Sequence, residues 1–149
     1  MFNLSLFAER LSDLMIENDL TAELLAQKLD IAKSSINKYL AGTHTPYARV
    51  LIKLADYFHC PTDFLLGDGD DFEPKEYDEC PPFSERLMFI LKEKGYSQYK
   101  LNKETKISET LITHWVRGVY SPNADSIVKL AKYFDCSADY LLGRNITKR

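Results

Sequence analysis

The sequence has few cysteines, few glycines and no long apolar run, and each shortage removes a class of protein. Its three cysteines, Cys60, Cys80 and Cys136, cannot all pair within one chain, and no C-x-x-C occurs. Free thiols in a reducing compartment suit this pattern better than a disulfide framework or a metal site. Six glycines form no phosphate-cradling loop, and the three histidines, His44, His59 and His114, lack metal-ligand spacing. Neither H-E-x-x-H nor G-x-S-x-G is present, so we expect no enzyme, no metal and no cofactor. No apolar stretch approaches the ~20 residues of a membrane span. Met1 to Arg10 has no basic region followed by an apolar stretch, so no signal peptide is expected and the expected location is cytoplasmic. The formal net charge is only −3, so no overall basic field draws a polyanion.

What is there is a repeat. Phe7 to Gly67 lies over Phe83 to Gly143 without a gap, at a constant offset of 76 residues. Ile31, Ile36 and Gly42 recur as Ile107, Ile112 and Gly118, Tyr39 becomes Trp115, and Pro46 becomes Pro122. Lys53 to Cys60 returns as Lys129 to Cys136, and Asp63-Phe64-Leu65-Leu66-Gly67 as Asp139-Tyr140-Leu141-Leu142-Gly143. Apolar positions persist while outward ones change, which means two copies of one fold. We therefore expect domains at 1–67 and 83–143, an acidic, proline-containing linker at 68–82 and a basic tail at 144–149. Copies of ~60 residues sit near the lower limit for a stand-alone core, which favours tight helical packing.

Charge is spread unevenly over these segments. Residues 1–67 carry 6 basic and 8 acidic side chains, 68–82 carry 1 and 7, and 83–149 carry 12 and 7. The second copy is thus better supplied with a local basic face. The acid residues and prolines of 68–82 leave no material for a packed core, and a solvated spacer is expected there.

Periodicity predicts five helices per copy. Leu4, Phe7, Leu11, Leu14 and Met15 form one stripe over 4–18, with Arg10, Asp13 and Glu17 outside it. Thr21 caps the next helix. Leu25 and Leu29 stack four apart, as do Ile36 and Leu40 on the helix after the turn at Asp30 to Ala32. Tyr39 and Trp115 fall on the core side of their helices. Val50 to Phe58 is a fourth helix, and Pro61 opens a short last one that stops at Gly67. In the second copy Gly95 ends the first helix, Ser97 caps the next, Ser108 caps the third and Ser137 starts the fifth. Ala32, opposite Ser108, is a poor cap. The outer face of the third helix carries Lys33, Ser34, Asn37 and Lys38, the long donors, amides and hydroxyls that a helix in a major groove needs for base edges and phosphates.

In this order, twice, the motif resembles the Cro/phage-repressor class of helix-turn-helix proteins. The resemblance implies an all-α chain of two tandem five-helix, lambda-repressor-like DNA-binding domains joined by the acidic linker. It further implies that the second helix of each copy sits over the DNA backbone and the third, about 32–41 and 108–117, enters the major groove. Carried over by position, Lys33, Ser34, Asn37 and Lys38 face bases or phosphates, with Thr21 and Thr43 against the backbone. The matching group in the second copy is Ser97, Gln98, Glu109, Thr110, Thr113, His114 and Arg117. The implied activity is sequence-specific binding of double-stranded DNA by a transcriptional regulator, a repressor because occlusion needs only binding. A linker of 15 residues spans at most ~50 Å extended, enough for half-sites about 34–36 Å apart.

There are departures. Ala22 replaces the family's glutamine, which survives as Gln98. Asn102 stands where Ala26 keeps the usual small residue. Asp30 and Lys106 occupy a turn position that often holds glycine, and Glu109 brings a carboxylate to a base-contact position. The alternative is a protein-interaction module on the same fold, with one or both copies used for homodimerisation or partner docking. No segment reads as a small-molecule effector domain, and no membrane partner is expected.

Overall fold

The computed structural model describes residues 2–145, which are all-helical, and the chain divides into two compact units, 1–76 and 77–149. Unit 1 contains α1 (Leu4–Glu17), α2 (Ala22–Leu29), α3 (Lys33–Leu40), α4 (Ala48–Phe58) and α5 (Thr62–Leu65). Unit 2 contains α6 (Phe83–Lys94), α7 (Gln98–Thr105), α8 (Glu109–Val116), α9 (Ala124–Tyr133) and α10 (Ala138–Leu142). In unit 1, α1 packs on α3 and α5, α2 on α3 and α4, and α4 on α5; the five corresponding pairs pack together in unit 2. The repeat read from the sequence is therefore a repeat of packing.

The apolar stripes explain this. Phe7, Leu11, Leu25, Ile36, Leu51, Leu54 and Leu65 are fully buried in unit 1, as are Leu87, Ile90, Leu101, Ile127, Leu130 and Leu141 in unit 2. Each such side chain contributes about 1.5–3 kcal/mol by leaving water. Tyr39 and Trp115 are core residues, and each meets an aromatic ring from the first helix of its unit edge-on. Phe7 lies 6.2 Å from Tyr39 at 78°, and Phe83 lies 6.3 Å from Trp115 at 88°. Cys60 and Cys136 are buried and form no disulfide.

Arg10, read from the sequence as a solvent-face residue, is a structural clamp. Its Nη1 donates to the Phe64 carbonyl at 2.5 Å and its Nη2 to the Gly69 carbonyl at 2.6 Å, with the guanidinium 4.3 Å from the Phe64 ring centroid. The equivalent Arg86 donates to the carbonyls of Tyr140 and Leu141 and lies over the Tyr140 ring. Both arginines tie the first helix of their unit to carbonyls in or just after its short last helix. Gly143 takes a left-handed φ of 89° beside this clamp, and a Cβ there would lie 2.9 Å from the side chains of Arg86 and Pro81. Only glycine fits.

Several residues of 68–82 pack against their neighbours. Phe72 lies 4.7 Å from Phe64, and the Lys75 amide donates to the His59 carbonyl at 3.2 Å. On the other side, the Asp78 amide donates to the Arg144 carbonyl at 3.1 Å, and the Arg144 guanidinium sits 3.9 Å from the Tyr77 ring centroid. Arg144, assigned from sequence to a basic tail, is buried and donates to Asp139 at 2.7 Å. The segment is acidic as read, but its aromatic residues and backbone give it anchors that composition does not show. Residues 146–149 lie outside the described residues.

Candidate nucleic-acid interface

The two turns that set the outward helices are built differently. In unit 1 α2 ends at Asp30, left-handed at φ 54° and ψ 52°, and the Ile31 amide donates back to the Ala26 carbonyl at 3.0 Å. In unit 2 Lys106 takes the left-handed position at φ 65°. There the Thr105 hydroxyl donates to the Leu101 carbonyl at 2.6 Å and accepts from the Ile107 amide at 3.1 Å, while Asn102 Nδ2 donates to the Ile107 carbonyl at 2.7 Å. Asn102 thus replaces the small residue of unit 1 with a hydrogen bond that braces the turn. Lys106 bears a strain that Asp30, with its short polar side chain, bears more easily.

The third helices then start unequally. Ser108 Oγ accepts from the Leu111 amide at 3.1 Å, whereas Ala32 gives α3 no side-chain cap. Thr21 and Ser97 cap α2 and α7, accepting from Leu24 and Lys100 amides at 3.1 and 3.0 Å. Their hydroxyls therefore hold helix ends, which fixes the N-termini of α2 and α7.

On α3, Lys33, Ser34, Asn37 and Lys38 are all exposed and share the face opposite Ile36 and Tyr39. None of the four side chains is engaged with another group of the chain among the described residues. Thr43 follows, its hydroxyl donating to the Lys38 carbonyl at 3.2 Å and 3.0 Å from His44 Nδ1. On α8, Glu109 and Thr110 are exposed, Thr113 and His114 half-buried, and Arg117 is the exposed C-cap. His114 is held edge-on against Tyr120 at 4.8 Å. Gln98 is exposed at the first position of α7. The two groups belong to separate units, and within each unit the residues are brought onto one helix-turn-helix.

Sequence reading missed the apolar members of the second face. Leu111, Val119 and Tyr120 are 41%, 57% and 57% exposed. Their partners 76 residues earlier are Ser35, Thr43 and His44, so the repeat itself held the signal. It also missed Tyr99, 70% exposed, with the Lys103 ammonium 5.3 Å from its ring centroid.

A family model for helix-turn-helix proteins matches residues 11–65 and again 87–141. This chain belongs to the helix-turn-helix family. It is a tandem member, and each match runs from within the first helix of a unit into its last. Among curated relatives, the tandem protein is 39% identical over 70 residues to the uncharacterized HTH-type transcriptional regulator YobD of Bacillus subtilis (strain 168). That stretch is 47% of this chain and 62% of the relative. The transcriptional repressor RstR of cryptic phage CTXphi, from Vibrio cholerae, is 29% identical over 65 residues, 44% of this chain and 59% of that protein. The tandem helix-turn-helix chain thus spans about three fifths of the length of each of these relatives. No solved structure matches it. No helix of the described residues is long and apolar enough to cross a membrane. Nor do these residues contain a group of His, Cys, Asp or Glu able to hold a metal ion.

Proposed function

We propose that this tandem helix-turn-helix protein is a transcriptional regulator that binds duplex DNA sequence-specifically and represses by occlusion. In this reading α3 and α8 enter the major groove, and α2 and α7 lie over the backbone. The observation that carries it is the outer face of α3: four exposed donors without internal partners on a helix whose inner face is locked by Ile36 and Tyr39. Asn37 has the amide that pairs bidentately with adenine, and Lys33 and Lys38 reach guanine edges or phosphates. The names of the two relatives, a transcriptional regulator and a repressor, agree with it.

Selection from random duplex DNA with the full chain tests this. A defined motif should emerge, with affinity falling steeply as salt rises. Asn37→Ala should lower affinity for that motif by about ten-fold and relax one base position, whereas Lys38→Gln should weaken all sequences alike and reduce the salt slope by about one. Failure to enrich any sequence at low salt would remove the reading.

A second reading is favoured by Leu111, Val119, Tyr120 and Glu109: unit 2 docks a protein or a second copy of the chain instead of DNA. Its binding would persist at high salt, since apolar interfaces release few counterions.

A further inference from the structure

The outward faces of the two copies differ in opposite chemical directions. At positions 76 residues apart, Lys33 corresponds to Glu109, Ser35 to Leu111, Thr43 to Val119 and His44 to Tyr120. Leu111, Val119 and Tyr120 are large and apolar, yet each keeps a substantial part of its surface in water. In a major groove the specific partner of such side chains is the thymine 5-methyl group, and a carboxylate accepts from an amino group, cytosine N4 above all. The amide and ammonium groups of α3 have the opposite preference, for adenine and guanine edges.

We propose that the DNA site of this protein consists of two unlike halves, one read by α3 through purine edges and the other by α8 through thymine methyl and cytosine amino groups. This rests on the DNA-binding reading above. Leu111 and the methyl of Thr110 supply the apolar contacts, Glu109 accepts from cytosine, and Tyr120 buttresses His114 beside them. The carboxylate repels phosphate, so the second half depends on close base contact more than on backbone charge.

The test is selection from random duplex DNA with the intact chain, followed by replacement of thymine by deoxyuridine in each half of the enriched duplex. Unlike halves are expected, the second rich in thymine and cytosine on one strand. Deoxyuridine in that half should weaken binding about four-fold for each contacted methyl lost, and leave the first half nearly unchanged. Glu109→Lys, which installs the residue of unit 1, should shift the selected base at one position of the second half from cytosine to guanine; Trp115 fluorescence checks that the variant is folded. Two like or inverted halves, deoxyuridine indifference in the second half, or a single half selected through unit 1 alone would overturn the proposal and leave DNA binding standing. No enrichment at low salt would overturn both.

Discussion

The two units share a core and differ at its edges. Unit 1 has side-chain N-caps on α1 and α2 alone, at Asn3 and Thr21. Unit 2 has them on α7, α8, α9 and α10, at Ser97, Ser108, Asn123 and Ser137. Unit 2 also has the braced turn at Asn102 and Thr105, and a buried ion pair between Arg144 and Asp139. Each cap is worth roughly 1 kcal/mol. One copy thus has more local reinforcement, and that copy also has the more apolar outward face. A well-reinforced scaffold tolerates new surface residues because it has stability to lose.

The largest way to break this contrast is at Arg144. Arg144→Met removes the guanidinium from the buried Asp139 carboxylate and should cost unit 2 about 3 kcal/mol. Trp115, the one tryptophan of the chain and buried in unit 2, reports the loss as a lowered denaturation midpoint. An unmoved Trp115 transition would show that the pair does not hold the unit together. Unit 1 has two aspartates, Asp63 and Asp68, at the matching positions.

Exchanging the caps sharpens the comparison. Ser108→Ala should destabilise unit 2 by about 1 kcal/mol, and Ala32→Ser should stabilise unit 1 by a similar amount. Thermal melts of the two single variants and the double variant would show opposite, additive shifts. The left-handed positions should respond unequally as well. Lys106→Gly removes more strain than Asp30→Gly, with a gain of somewhat under about 1 kcal/mol for the lysine and less for the aspartate.

These differences mark how far the sequence could be read. Helix number and the main apolar core were legible because apolar periodicity and the 76-residue offset constrain each other, as at Leu11 and Leu87 or Leu54 and Leu130, buried in both copies; the caps at Asn3 and Asn123 were not read. The Arg10 and Arg86 clamps were not, since an arginine outside the apolar stripe reads as solvated until the last helix folds back beneath it. Arg144 was hidden likewise, because only tertiary packing brings Tyr77 and Asp139 around it. On the outward faces, the polar positions of α3 were legible as a pattern. Leu111 on α8, and Val119 and Tyr120 after it, were missed because exposure of an apolar side chain beside the stripe is set by packing rather than by periodicity.

The smallest expected effect is one of pH. Burial, and then the hydrogen bond to Glu104 at 2.5 Å, push the Tyr133 hydroxyl well above its ordinary value. Burial and Glu93 raise Tyr140 in the same direction. A tyrosine with a raised folded-state pKa contributes stability that is complete below about pH 10 and is lost as the pH rises through the folded value. Glu104 is held below the usual carboxylate range, first by Tyr133 and then by Lys100, so its contribution is present above about pH 4.5 and fades on acidification. Tyr133→Phe should flatten the alkaline limb of unit 2 stability and reduce the acid dependence that comes from Glu104. An unchanged pH profile would remove Tyr133 as the linking group.

The anchoring of Tyr77 and Asp78 to Arg144 bears on how the chain is to be dissected. A fragment begun at residue 80 would discard the ring over the Arg144 guanidinium and the amide bonded to its carbonyl, exposing a buried cation at the new terminus. Cut between Glu76 and Tyr77, each half keeps its own fastenings, so an engineered protease site belongs at that peptide bond.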